Sequence, residues 1–220
     1  MKITEIHLQT SKLDELKLFY GDLLNFKVEF TSPDNIILHT GQTRIVFKHA
    51  DINDPFYHFA FTIPSNKINE AYNWLKQRVE LLWIPDYNSF IADFINWNAQ
   101  SVYFKDPAGN IVEFIARFDL QDHESANFSA EQIRSVSEIG LVFPYETYSK
   151  NNQAILSEYS LTYFSKHPPL ASFSAIGDEE GLLISVPEGR AWYPTSGDLA
   201  GIYTMKILFE IEGKEYVFST

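Results

Sequence analysis

Apolar and polar residues alternate on both sides of a turn near the middle of the chain. Val102 and Phe104 fall on one face of the first run, and in the second run Glu113 stands between apolar neighbours. Alternation with period two is typical of half-buried β-strands. Between the runs, residues 106–110 read Asp-Pro-Ala-Gly-Asn, which favours a tight turn. The pattern predicts a β-hairpin in which Glu113 needs a positive partner, because an unpaired carboxylate is costly to bury.

Two earlier strands carry a histidine in corresponding positions. In the segment 2–10, His7 lies on the opposite face from its apolar neighbours, and in the segment 57–63, His58 alternates with aromatic and aliphatic residues. One face of each strand is thus predicted to pack in the core, while the other carries the histidine.

Each of these strands is followed by an amphipathic stretch. Apolar residues at helical spacing predict helices over 11–24 and 65–79, with Ser11 and Ser65 as N-caps. The chain therefore repeats one unit, consisting of a strand, a helix and short strands, and such repetition indicates repeated supersecondary modules.

The segments 3–8 and 18–26, together with 58–61 and 103–113, resemble the vicinal oxygen chelate superfamily. That superfamily includes glyoxalase I, bleomycin-resistance proteins and extradiol ring-cleaving dioxygenases. The resemblance implies an α+β fold in which paired βαβββ modules form a U-shaped mixed sheet with helices on its convex face. An extra incomplete module is expected to follow. In the superfamily the U encloses a divalent metal ion.

The resemblance implies that His7, His58 and Glu113 are the metal ligands. Two neutral imidazoles and one carboxylate suit a divalent ion of Fe, Mn, Zn or Ni, and three protein ligands leave positions open for water or substrate. The alternative is structural: the histidines would be half-buried strand residues, and Glu113 would pair with Arg117 or Lys105.

Further residues are expected around the metal. Tyr103 is predicted to be catalytic as a donor to an oxyanion, and His49 as a proton carrier. The predicted substrate-binding residues are Gln9, Arg117 and Trp97. Each of these residues has an ordinary alternative role in packing or at the surface.

A change in composition divides the chain. Residues 1–120 are predicted to form the vicinal-oxygen-chelate domain with the metal cup, 121–135 a polar linker, and 136–220 an incomplete third module. Gly140 takes the slot of His7 in that module, so the module is predicted to be metal-free, with a structural or dimerisation role. The sheet edge left by its truncated last strands is compatible with a homodimer.

Charge and composition narrow the class of partner. The 220 residues carry a formal net charge of −12, which disfavours nucleic acid and anionic membranes. No apolar run approaches the ~20 residues of a membrane span, and the first residues do not read as a signal peptide. The chain has no cysteine, which excludes disulfides and is compatible with a cytoplasmic location. A small-molecule substrate is therefore the expected partner.

Within the superfamily, the sequence fits none of three activities fully. Extradiol dioxygenases use further histidines for proton transfer, for which only His39 or His49 could serve here. Glyoxalase I takes a fourth ligand from the strand that corresponds to 43–48, which here contains neither Glu nor Gln. The fosfomycin-resistance enzymes need basic residues in the loop that corresponds to 89–100, which has none. The sequence favours a metal-dependent dioxygenase or lyase that acts on a small oxygenated organic substrate, with ring cleavage preferred. The alternative is a metal-free drug- or metabolite-binding protein, as bleomycin-resistance proteins are.

Overall fold

The computed structural model describes residues 1–51 and 55–220. The strands in this part of the chain are β1 (Lys2–Thr10), β2 (Lys27–Ser32), β3 (Asn35–Thr40), β4 (Thr43–His49), β5 (His58–Ile63), β6 (Ala92–Phe94), β7 (Ala99–Lys105), β8 (Ile111–Arg117), β9 (Ser135–Phe143), β10 (Ser174–Asp178), β11 (Gly181–Pro187), β12 (Met205–Ile211) and β13 (Lys214–Ser219). The α-helices are α1 (Leu13–Lys17), α2 (Ile68–Lys76) and α3 (Tyr148–Tyr159), and a π-helix at Leu18–Leu23 continues α1.

The order of these elements repeats one unit. Two βαβββ modules, β1-α1-β2-β3-β4 and β5-α2-β6-β7-β8, are followed by the shorter β9-α3-β10-β11 and by the hairpin β12-β13. The strands form two mixed sheets, one in the order β13-β12-β1-β4-β3-β2 and the other in the order β10-β11-β9-β5-β8-β7-β6. The predicted α+β fold of βαβββ modules is confirmed.

The two sheets share one pattern of strand pairing. In the six-stranded sheet, β1 pairs in parallel with β4 and antiparallel with β12. In the seven-stranded sheet, β5 pairs in parallel with β8 and antiparallel with β9. Each sheet therefore joins one of the first two modules to strands from the later part of the chain.

This strand pairing differs from the expectation that the first two modules together line one metal-binding cup. His7 and His58 lie in different sheets, because β9 rather than β1 is the antiparallel partner of β5. Strands from residues 136–220 complete both sheets. The predicted domain boundary at residues 121–135 stays a prediction.

The seven-stranded sheet has two different faces, as the alternation of its residues predicts. Phe59, Phe61 and Phe114 are fully buried in the main core, and α2 packs against β7 and β8. Tyr103 and Ile111 point to the other face, where they join a smaller apolar cluster. The polar residues that alternate with the core residues are therefore presented on this second face.

The predicted helices form, but they are shorter than predicted. The N-cap of α1 is Lys12 rather than Ser11, and that of α2 is Lys67 rather than Ser65. Ser65 instead donates its hydroxyl to the backbone carbonyl of Asp122 at 2.9 Å, so it anchors the segment 121–135 and does not cap the helix. None of the helices in residues 1–51 and 55–220 has the length and apolar character that crossing a bilayer requires.

The predicted turn at 106–110 is confirmed. The carboxylate of Asp106 accepts from the backbone N–H groups of Ala108 at 2.9 Å and Asn110 at 3.1 Å. Gly109 has a φ of +86°, a region that favours glycine. The hydroxyl of Tyr20 also donates to Asp106 at 2.8 Å, which ties this turn to the first module.

Candidate metal centre and cavity

The candidate site lies where three neighbouring strands of the seven-stranded sheet meet. Ala60 on β5 is the register partner of both Glu113 on β8 and Glu138 on β9. Residues opposite each other on adjacent strands share a face of the sheet, as do residues two apart on one strand. His58 therefore projects beside both carboxylates, and the small side chain of Ala60 leaves space between them.

The three side chains converge. His58, Glu113 and Glu138 each offer one ligand atom, and these atoms lie within 4.8 Å of one another. The residues are 6%, 2% and 4% exposed, respectively. The Nε2 atom of His58 is 3.7 Å from Oε2 of Glu113. Two carboxylates so close together and so well removed from water need positive charge nearby.

The imidazole of His58 is held in the tautomer that a metal ligand requires. Its Nδ1–H donates to the carbonyl oxygen of Ile111 at 3.1 Å, which leaves the lone pair on Nε2. Burial lowers the pKa of His58 from 6.5 to about 4. The ring is therefore neutral at physiological pH and free to donate that lone pair.

The charge balance of the cluster is negative. Burial, followed by the neighbouring Glu138 carboxylate, raises the pKa of Glu113. Burial also raises the pKa of Glu138, and the charge of Arg117 opposes this shift. The fully buried Arg117 donates to Glu138, but its other terminal nitrogen is shared with Glu179 at 3.4 Å. Lys166 also pairs with Glu179. The guanidinium of Arg117 therefore mainly offsets the charges of Glu113 and Glu138, and one positive charge for two carboxylates means that an added cation would stabilise the cluster.

This donor set fits a divalent metal ion. One neutral imidazole nitrogen and two carboxylate oxygens are suitable ligands for Fe, Mn, Zn or Ni. Metal–ligand bonds of about 2.0–2.2 Å place two ligand atoms no more than about 4.4 Å apart. The side chains would therefore need only a small movement to enclose an ion.

A cavity of about 250 Å³ adjoins the cluster, and the three candidate ligands line part of it. The other lining side chains are mainly aromatic and include Phe94, Trp97, Tyr103, Phe173, Trp192 and Tyr193. An apolar cavity of about 150 Å³ is enough to admit benzene. This cavity therefore has room for one ring with substituents.

Gly140 accounts for the missing histidine of the third module. A Cβ atom at this position would lie 2.6 Å from Cη2 of Trp192 and 3.4 Å from the carbonyl oxygen of His58. The rings of Trp192 and His58 pack with centroids 5.2 Å apart. The indole thus occupies the space next to Gly140, and the strand presents Glu138, two residues earlier, on the same face.

Five residues predicted from the sequence come together here. His58, Glu113, Tyr103 and Trp97 line the cavity, and Arg117 pairs with Glu138 at its edge, with its guanidinium carbon 5.6 Å from the Trp97 ring centroid. Tyr103 is the register partner of Glu113. Burial and the charge of Glu113 raise the pKa of Tyr103 well above its ordinary value. The catalytic role of Tyr103 and the substrate-binding roles of Arg117 and Trp97 stay predictions.

The structure does not bring His7 to this cluster. Its Nε2 atom lies 2.6 Å from Oε1 of Glu5 in the six-stranded sheet. Glu113 pairs in register with Ala60, two residues after His58, whereas the β4 residue that pairs with Gln9, two residues after His7, is Lys48. The strand β4 therefore carries a lysine where β8 carries Glu113.

Gln9 and His49 also belong to the six-stranded sheet. The backbone N–H of Gln9 lies 3.2 Å from the hydroxyl of Tyr57. His49 is partly exposed at the end of β4, with Nε2 3.1 Å from Oδ1 of Asp51. Neither residue lines the cavity, so a role for them in this site has no support from their positions.

Four residues that line the cavity were not predicted from the sequence, and all of them come from the segment that was expected to be metal-free: Glu138, Arg190, Trp192 and Tyr193. Glu138 carried the same signal as Glu113, since it is the lone charged residue in a strand with several apolar residues. The other three residues follow β11 in an irregular segment, where periodicity gives no information about side-chain direction.

No protein-family model matches the chain, and no curated protein matches it significantly. Two shorter solved structures resemble about half of it. One is a lactoylglutathione lyase from Agrobacterium tumefaciens, with 22% identity over 51% of this chain and 90% of that chain and a TM-score of 0.41. The other is a glyoxalase/bleomycin resistance protein/dioxygenase from Alicyclobacillus acidocaldarius, with 22% identity over 56% and 96% and a TM-score of 0.44.

A third solved structure resembles the chain along its whole length. This is a "putative dioxygenase" from Bacillus subtilis subsp. subtilis str. 168, with 16% identity and a TM-score of 0.57 over 100% of this chain and 84% of that chain. The chain therefore shares the fold of this solved structure. The predicted resemblance to the vicinal oxygen chelate superfamily is confirmed at the level of the fold.

Proposed function

We propose that the protein is a metal-dependent enzyme of the glyoxalase/dioxygenase type that acts on a small oxygenated organic molecule. The observation that carries this proposal is the convergence of His58, Glu113 and Glu138 beside one cavity. We assign these three residues as the ligands of a divalent ion of Fe, Mn, Zn or Ni. Glu138 takes the place that the sequence predicted for His7.

When bound, such an ion supplies a Lewis acid for substrate oxygens or, if it is iron, a site for dioxygen chemistry. The residues of the chain supply the surroundings of the reaction. Tyr103 holds a proton on Oη beside Glu113, because burial and the Glu113 charge keep its phenol neutral. The buried Trp192 excludes water from the side of the cavity next to His58.

Ring-cleaving dioxygenase chemistry is the reaction that we prefer. The cavity has aromatic walls and room for one substituted ring, which suits a flat aromatic substrate. The resemblance to the putative dioxygenase of Bacillus subtilis extends over the whole chain, which supports this preference at the level of the fold.

A second candidate is a metal-free protein that binds a drug or metabolite. The observation in its favour is the ion pair between Arg117 and Glu138, both buried, which supplies one positive charge to the cluster from within the chain. A Glu113 that keeps its proton would balance the remaining charge, and burial raises its pKa in that direction. In this case the aromatic cavity would bind its ligand without any ion.

Oxygen uptake by the iron-loaded protein separates the two candidates. The chain would be stripped with a chelator, reloaded anaerobically with Fe(II) and mixed with catechol and dioxygen, and the absorbance of a ring-opened product would be followed as well. We expect uptake in the parent protein and in His7→Ala, and none in Glu113→Gln. Catechol binding that is equal with and without metal, with no turnover, would favour the binding protein instead.

A further inference from the structure

Arg190 lines the cavity without an acidic partner. Its Nη1 atom donates to the backbone carbonyl of Ala191 at 3.3 Å, and its guanidinium carbon is 5.2 Å from the ring centroid of Phe173. No carboxylate among residues 1–51 and 55–220 lies within ion-pair distance of it. Three other arginines of the chain each pair with a carboxylate, namely Arg44, Arg117 and Arg134.

This arginine is equipped to bind an anion. A guanidinium carries five N–H donors in a rigid fork that matches a carboxylate, and the structure occupies one of its nitrogens. The side chain is half-buried, and stacking on Phe173 holds it in the cavity wall. A cation that has lost part of its hydration and lacks a counter-ion gains most from an anionic ligand.

A second unpaired donor lies in the same cavity. The hydroxyl of Tyr193 is buried and has no hydrogen-bond partner in the described part of the chain. The ring packs between Tyr103 and Phe94, with centroid distances of 5.6 Å and 5.8 Å, so its position is held by packing. Buried hydroxyl groups are normally hydrogen-bonded, so this one has a donor available for a ligand.

The charges around the cavity select the kind of anion. One unpaired arginine matches a single negative charge. A phosphate dianion would bring a second, uncompensated negative charge into a cavity that Glu113 and Glu138 already line. Lys166, beside the cavity-lining His167, is already paired with Asp119 and Glu179. A monoanion is therefore favoured, and the aromatic walls favour one that is attached to a flat ring.

We propose that Arg190 binds the carboxylate of a small aromatic acid, whose ring lies against the aromatic walls of the cavity. This inference rests on the proposed function in that it names the substrate class of the same site. The fork of Arg190 would receive the two carboxylate oxygens, and the hydroxyl of Tyr193 would donate to a polar substituent of the ring. The substituted ring would then be presented to His58 and the two glutamates.

Calorimetric titration of the metal-free full-length chain with benzoate tests this proposal, with benzamide as the neutral analogue of the same shape. We expect benzoate to bind more tightly than benzamide. Arg190→Gln should weaken benzoate binding about ten- to hundredfold, the size of a charge-assisted hydrogen bond, and leave benzamide binding unchanged. Arg190→Lys should recover part of the loss, because it keeps the charge but not the fork.

The matched control is Arg44→Gln, which removes an exposed arginine on the other sheet and should leave benzoate binding unchanged. Failure of benzoate to bind, equal binding of benzamide, or equal binding to Arg190→Gln would refute the proposal. Tighter binding of phenyl phosphate than of benzoate would refute the choice of a monoanion. Because the protein in this titration is metal-free, these outcomes do not depend on whether the proposed metal site exists. A separate metal titration of the parent and of Glu113→Gln tests that site.

Discussion

Replacing Gly140 with alanine tests the packing of Trp192 against β9 beside His58. The added Cβ atom would lie 2.6 Å from Cη2 of Trp192, where ordinary contact begins near 3.4 Å. The buried indole must therefore retreat by about 0.8 Å, away from a position that already contacts His58. The φ of Gly140 is not positive, so alanine adds no backbone strain.

The expected cost follows from two opposing effects. Overpacking a buried site destabilises by about 1–3 kcal/mol, while alanine restricts the unfolded chain and returns about 0.4–1 kcal/mol. We expect Gly140→Ala to lower the free energy of unfolding by about 1–2 kcal/mol, which corresponds to about 2–8 °C in Tm for a chain of this size.

Urea unfolding followed by tryptophan fluorescence measures this loss, with an unchanged m-value as the sign that the same transition is observed. The matched control is Gly197→Ala, where a new Cβ atom would meet nothing within 4 Å. The control should stay within about 0.5 kcal/mol of the parent. Equal stability of Gly140→Ala and Gly197→Ala would refute the argument that Trp192 fills the space of a side chain at position 140.

Two further predictions concern buried carboxylates. Burial and Glu138 raise the pKa of Glu113 above 4.5, so the Glu113 carboxyl binds its proton more tightly in the folded metal-free protein than in the unfolded chain. The contribution of Glu113 to the free energy of unfolding therefore falls as the pH rises above 4.5. Glu113→Gln should remove that fall and exceed the parent in stability at pH 7; identical pH slopes in urea unfolding would contradict this. Asp106→Ala leaves several donors without an acceptor and should cost about 3 kcal/mol or more, against about 1 kcal/mol for Tyr20→Phe. Equal losses in these two variants would show that the turn does not depend on the carboxylate.

The sequence predicted local features well because they depend on neighbouring residues. The turn at 106–110 and the two faces of the strand containing Glu113 follow from side-chain periodicity and backbone preference, and both are present. The helix starts were less accurate, because Ser65 bonds to Asp122, a residue that is distant in the sequence.

The partners of the central strands could not be predicted in the same way. The strands β1 and β9 read Ile-Thr-Glu-Ile-His-Leu and Val-Ser-Glu-Ile-Gly-Leu, so they are nearly equivalent as local patterns. Which of them pairs with β5 depends on contacts between residues far apart in the sequence, which local patterns do not contain. The structure brings two of the predicted ligands, His58 and Glu113, together with Glu138 and leaves His7 in the other sheet, while the ligand roles themselves stay predictions.

The metal content of three proteins tests the central claim most directly. The parent, His7→Ala and Glu113→Gln would be stripped, incubated in turn with Fe(II), Mn(II), Zn(II) and Ni(II), desalted and measured by elemental analysis. We predict about one ion per chain in the parent and in His7→Ala, and little or none in Glu113→Gln, because the latter loses one of three ligands. Metal that is lost in His7→Ala and kept in Glu113→Gln, or a parent protein that binds none of these ions, would contradict the assignment of His58, Glu113 and Glu138.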